Sequence, residues 1–99
     1  MDTKITYTLF DNGLGFNAEC GGIHIGEITF VRIGGNKLLI DHTAVESQYR
    51  NLSIGFNLVK QVVEFARSKH WYVISICPFA RAMFNRYSEF DDVRLINVR

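Results

Sequence analysis

The hydrophobic pattern of the chain first changes period near residue 50, and that switch limits its fold more than any other feature. Upstream, β-prone runs alternate with turn residues. Lys4 to Phe10 stops at Asp11-Asn12-Gly13, a hairpin signal because Asn and Gly tolerate positive φ. Leu14 to Cys20 ends at Gly21-Gly22, and Ile23 to Ile33 ends at Gly34-Gly35-Asn36. Lys37 to Val45 is the fourth strand, and its "LLI" core suggests cover on both faces. Downstream, Gly55, Leu58, Val59, Val62, Val63 and Ala66 recur at helical spacing, with Lys60, Gln61, Glu64 and Arg67 on the other side. "WYVISIC" (Trp71 to Cys77) then reads as a buried strand. Pro78 suits the first position of a second helix, with Ala80, Met83, Phe84 and Tyr87 as its stripe. A last strand is expected around "VRLINV" near the end.

A strand, helix, strand passage over residues 37 to 77 requires the fourth and fifth strands to lie parallel. The expected fold is therefore α+β: an antiparallel four-strand meander, a helix, a parallel fifth strand, a short helix and a candidate last strand. The whole, residues 1–99, reads as one domain that buries roughly two thirds of its unfolded surface. Eight Phe, four Tyr and one Trp are enough to furnish an apolar cleft as well as a dense core.

Eleven basic against ten acidic residues leave a net charge of +1, which argues against a nucleic-acid binder, since such domains carry a strongly basic face. No apolar run approaches the roughly 18 residues that span a bilayer. Met1-Asp2-Thr3-Lys4 lacks the pattern of a signal peptide. Cys20 and Cys77 are the only cysteines and are expected as reduced thiols in a cytoplasmic protein. His24, His42 and His70 are scattered without ligand spacing, so no metal site is expected.

Three places can carry chemistry. The first is the approach to the long helix, Arg50 to Gly55, which has no acidic residue in its first turn. A helix N-terminus exposes unpaired N–H groups and the positive end of the helix dipole, so it attracts anions. Arg50 adds a cation, and Ser53 either caps the helix or donates its hydroxyl to a phosphate oxygen. The plainer reading is a Ser-capped helix beside a surface arginine.

The second is Cys77, which ends a strand just before Pro78 and so falls at a helix N-cap. There the dipole favours the thiolate. The plainer reading is a small buried apolar side chain. The third is "IDHTAV" (Ile40 to Val45), where alternation sends His42 to one face and Asp41 with Thr43 to the other. His42 is a candidate base, against the alternative of a hydrogen-bonded structural histidine. Arg81 and Arg86, beside the short helix, are either solvated or meet an anionic ligand.

Read in order, these pieces resemble the compact GNAT-like N-acetyltransferases, the small single-domain group called the YjdJ-type family. The resemblance rests on His42-Thr43-Ala44-Val45, Arg50 to Gly55, Cys77-Pro78-Phe79-Ala80, Phe84 and Ser88-Glu89-Phe90-Asp91-Asp92-Val93. No one motif is specific, but their order and spacing are, and they cover more than half the chain. The resemblance implies acetyl-CoA as cosubstrate, without a metal. It assigns Val45 to the pantetheine amides and Arg50, Asn51, Leu52, Ser53, Ile54 and Gly55 to the pyrophosphate. It sets Cys77 close to the thioester and has Phe79 and Phe84 line the cleft. Cys77 would accept the acetyl group, or an amine would attack directly with His42 or a water as base.

The family loop favours glycine where this chain has Asn51 and Ser53. Asn51 tolerates positive φ and is expected to keep the turn, whereas Ser53 adds a side chain where phosphate must approach the backbone. The acceptor amine is not specified. The alternative is a non-catalytic interaction module on the same fold that binds CoA weakly or not at all. Its Phe-rich surface would serve a partner protein or a homodimer.

Overall fold

The structure is a computed structural model that describes residues 4–95. Five strands form one sheet in the order β1-β2-β3-β4-β5: β1 (Ile5–Leu9), β2 (Gly15–Cys20), β3 (Ile23–Ile33), β4 (Lys37–Val45) and β5 (Tyr72–Ser75). The first four pair antiparallel, and β4 with β5 is parallel, as the crossover required. The architecture is the expected α+β one. The tight turn between β2 and β3 works because Gly21 and Gly22 both take positive φ (59° and 85°), which side chains other than Asn resist.

Helix α1 (Ile54–Lys69) lies across β2 to β5. Its stripe of Ile54, Leu58, Val59, Val62, Val63 and Ala66 is fully buried against Phe16, Ala18, Ile28, Phe30, Leu38, Ile40 and Val73 of the sheet. Burial of each large aliphatic contributes about 1.5–3 kcal/mol. Phe65 fills the distal end, with Phe16, Phe30 and Trp71 at centroid distances of 5.8 to 5.9 Å. At the proximal end, Phe56 of the first turn meets Tyr87 and Phe90 at 4.7 and 5.6 Å. The aromatic surplus therefore goes mostly inward: Phe79 is the one exposed phenylalanine among the described residues.

Leu38 and Ile40 are buried while Leu39 is half-buried, so β4 is covered on one face rather than two. Among the described residues nothing packs on the opposite face, where Val31, Ile33 and Tyr72 remain exposed. The expected last strand reduces to one parallel bridge between Val73 and Arg94, bonded through Val93 and Leu95. The remainder of that segment, from residue 96, lies outside the described residues. Arg67 ties this tail to α1. Its guanidinium bonds both carboxylate oxygens of Asp92 (2.8 and 2.6 Å), the Glu64 carboxylate (2.9 Å) and the Glu89 carbonyl (3.1 Å). No described helix is long and apolar enough to cross a membrane.

Candidate functional site

The site begins where two parallel strands part. The β4–β5 ladder runs from Lys37 opposite Tyr72 to Ile40 opposite Ser75 and stops. The N–H groups of Ile76 and Cys77 then both donate to the Ile40 carbonyl (3.2 and 3.3 Å), which turns the chain out of the sheet. Pro78 starts helix α2 (Pro78–Arg86) with Cys77 as its N-cap. From Asp41 to Val45 the edge of β4 that faced β5 is left without a strand partner. Such an edge offers backbone donors and acceptors to an extended ligand that carries amides.

A cavity of about 660 Å³ opens there. Thr43, Ala44 and Val45 of β4 form one wall, and Arg50, Ser53, Gly55 and Phe56 a second. The third is the α2 face of Phe79, Met83 and Arg86, at i, i+4 and i+7. Two arginines and no carboxylate line it, and among the described residues neither arginine pairs with an acidic group. Arg50 is fixed by a bond from its Nε to the Val45 carbonyl (3.2 Å).

The loop before α1 is a 3-10 segment, Ser47–Leu52, which takes in Asn51. The left-handed residue is Ser53 (φ 59°, ψ 26°), one of the two positions where the family favours glycine. At that φ its hydroxyl makes no capping bond, and the first turn holds no acidic residue. The first helical bond runs from Asn57 N–H to the Ser53 carbonyl at 3.0 Å. The N–H groups of Ile54, Gly55 and Phe56 thus precede any helical acceptor. A right-handed residue followed by a left-handed one also turns successive N–H groups into a concave anion nest. At Gly55 a Cβ would lie 2.5 Å from the Phe79 ring, which rests on this turn, so a side chain there would displace the ring.

Cys77 is buried behind Thr43, whose hydroxyl accepts from its thiol at 3.5 Å. Burial pushes the thiol up. The N–H of Ala80, the hydroxyl of Thr43 and the N–H groups of Phe79 and Thr43 together outweigh it and hold the group below the usual thiol range.

Not every expected residue converges here. A bulge at β3–β4 pairs Thr29 with His42 and Phe30 with Ile40, which leaves Asp41 as the extra residue and shifts the alternation. Asp41 and His42 therefore share the outer face. There Asp41 accepts from the Thr29 hydroxyl (2.7 Å), and His42 Nε2 lies 3.6 Å from the Glu27 carboxylate, which also meets His24 at 3.4 Å. Thr43 alone turns towards Cys77, so the expected pairing of Asp41 with Thr43 is corrected. Phe84 does not line the cleft. With Ala80 it faces the core and packs on Phe90 at 5.6 Å, because α2 turns that side inward and Phe79 and Met83 outward. Ile54 is fully buried and Leu52 exposed, and neither lines the cavity, so their backbone is what they present. Met83, Phe56 and Arg86 complete the lining; the i, i+4, i+7 spacing of Phe79, Met83 and Arg86 is the signal that finds two of them.

Parted parallel strands, a left-handed turn into an uncapped helix and a Cys-Pro turn thus meet at one cleft. Residues 15–93 match the family described as GCN5-related N-acetyl-transferase, and the chain belongs to that family. Among solved structures, a GCN5-like N-acetyltransferase candidate from Staphylococcus aureus is similar over 95% of this chain and 91% of its own. It shows 28% identity and a TM-score of 0.75. Ard1 from Thermoplasma volcanium (16% identity, TM-score 0.66) covers 78% of this chain and shares the fold. So does a ribosomal-protein-alanine N-acetyltransferase from Brucella melitensis biovar Abortus 2308 (16%, 0.62), over 86%. This chain spans only 55% and 63% of those two. No curated protein sequence matches it.

Proposed function

We propose that the chain acts as a single GNAT-like domain that binds acetyl-CoA between β4 and β5 and transfers its acetyl group to an amine. One observation carries this reading. The cleft that joins an unpaired strand edge to an uncapped helix N-terminus also holds two arginines with no acidic partner among the described residues and backs onto a thiol. Those groups fit the donor: the β4 edge suits pantetheine amides, the Ser53 to Phe56 backbone with Arg50 suits the pyrophosphate, and Phe79 with Met83 suits the methylene stretches. Acetyl-CoA supplies an activated acyl thioester. Cys77, with its thiolate favoured, is suited to accept the acyl group, or to sit beside a thioester attacked directly by the amine. His42, on the far face of β4 with Glu27 behind it, is suited to take the proton of an amine that reaches the slot from that side. Two free cysteines fit a reducing compartment, and a cytoplasmic location is part of this proposal.

The test is a titration with CoA followed by backbone NMR and by melting, then turnover of acetyl-CoA with a panel of amines. Signals of Ser53 to Phe56 should shift, and the melting temperature should rise with ligand by mass action. If near-saturating CoA moves neither, the reading is wrong. Cys77→Ala separates the two routes: lost turnover with retained binding supports an acyl-thiol, and unchanged turnover excludes an essential one.

A further inference from the structure

The cleft holds a second cation besides Arg50. Arg86 projects from the last turn of α2, lines the cleft together with Arg50 and is exposed. Its guanidinium carbon sits 5.5 Å from the Tyr87 ring centroid, and no described carboxylate pairs with it. Ring contact restrains the side chain and spares its five N–H donors, so the planar fork stays available to a phosphate. Arg50, by contrast, already bonds the Val45 carbonyl and stands beside the open turn of α1.

CoA carries two separate anionic groups, the pyrophosphate and the ribose 3′-phosphate, and the second is the farther from the thioester. Resting on the donor reading above, we propose that Arg86 binds the 3′-phosphate and makes the protein select CoA over donors that lack it. The open turn of α1 with Arg50 serves the inner anion, and Arg86 serves the outer one. Charge supports this division: two arginines without acidic partners among the described residues line the cleft, and CoA brings two separate anionic groups.

The experiment measures affinities of the full chain and of Arg86→Gln for CoA and for 3′-dephospho-CoA, with the melting temperature of each protein as a control for folding. The native chain should prefer CoA about tenfold or more, the range of one charge-assisted contact. Arg86→Gln should lose that preference by weakening CoA alone and leave 3′-dephospho-CoA unchanged. Equal weakening of both ligands, or of neither, overturns the assignment. A native chain that binds both equally tightly overturns it without any variant, and so covers the case in which Arg86→Gln fails to fold. If the native chain binds neither, the donor reading itself falls.

Discussion

At both ends of α1 the chain passes through a left-handed residue that is not glycine, Ser53 with φ 59° and His70 with φ 62°. That conformation costs an ordinary residue about 1–2 kcal/mol. At His70 the cost is offset locally. Its N–H reaches the Ala66 and Arg67 carbonyls, and Trp71 N–H reaches Ala66 at 2.9 Å, the closure that seals helix C-termini. Arg67 and Lys69 in the last turn complement the dipole. At Ser53 nothing comparable occurs: no capping bond forms, and no acidic side chain balances the positive end. The same backbone state seals one end of the helix and opens the other, and the open end faces the 660 Å³ cleft.

The largest effect is expected where that opening is filled covalently. Ser53→Asp puts a carboxylate against the positive end of α1. In the free protein it should be neutral or stabilise by a few tenths of a kcal/mol, since an acidic group there complements the dipole. Against CoA it should weaken binding about tenfold or more, because the new charge competes for the N–H groups and repels phosphate. Calorimetric titration with a melting scan reads both signs. Loss of stability together with affinity would mean that the open turn is merely a damaged cap.

The next effect is smaller and compares the two left-handed residues directly. Ser53→Gly and His70→Gly each remove the strain and add unfolded-state entropy, for a net gain of about 0.5–1 kcal/mol, or a few degrees in melting temperature. Only Ser53→Gly should also tighten CoA, by clearing a side chain from the phosphate approach. Equal affinity changes in the two variants would erase the functional distinction between the ends.

Much of this was legible beforehand, for reasons that differ by element. The turns announced themselves through Gly and Asn, and the α1 stripe through its period, so the strand order and the parallel β4–β5 pair followed from topology. Three features were not legible. The bulge at Asp41 belongs to the β3–β4 register, and no residue type marks it, so the facing of Asp41 and Thr43 was misjudged. On α2 two apolar stripes compete, Ala80 with Phe84 and Phe79 with Met83. Composition cannot say which one the core takes. In the loop, Asn51 was the residue suited to positive φ, yet Ser53 holds it, because the junction of the 3-10 segment with α1 dictates the position rather than propensity.

The smallest effect tests the sealed end. Arg67 holds the Asp92 carboxyl below its ordinary value through paired hydrogen bonds, against the opposing effect of burial. A carboxyl depressed on folding contributes stability that is fully present above its unfolded value, near 3.9, and is lost as pH falls through the folded one. Arg67, raised by the same contacts, stays charged throughout. Asp92→Asn should therefore be less stable than the native chain at pH 7 and should converge with it at about pH 2, as both become neutral at that position. The gap should stay below about 1 kcal/mol and shrink in salt, because the pair is largely exposed to solvent. Urea unfolding of both proteins at the two pH values measures it, and since every other carboxyl is common to the pair, the difference reports Asp92 alone. No gap at either pH would show that the tail is held to α1 by packing and the Glu89 carbonyl bond rather than by charge. The sealed end would then, like the open one, draw no stability from a carboxylate.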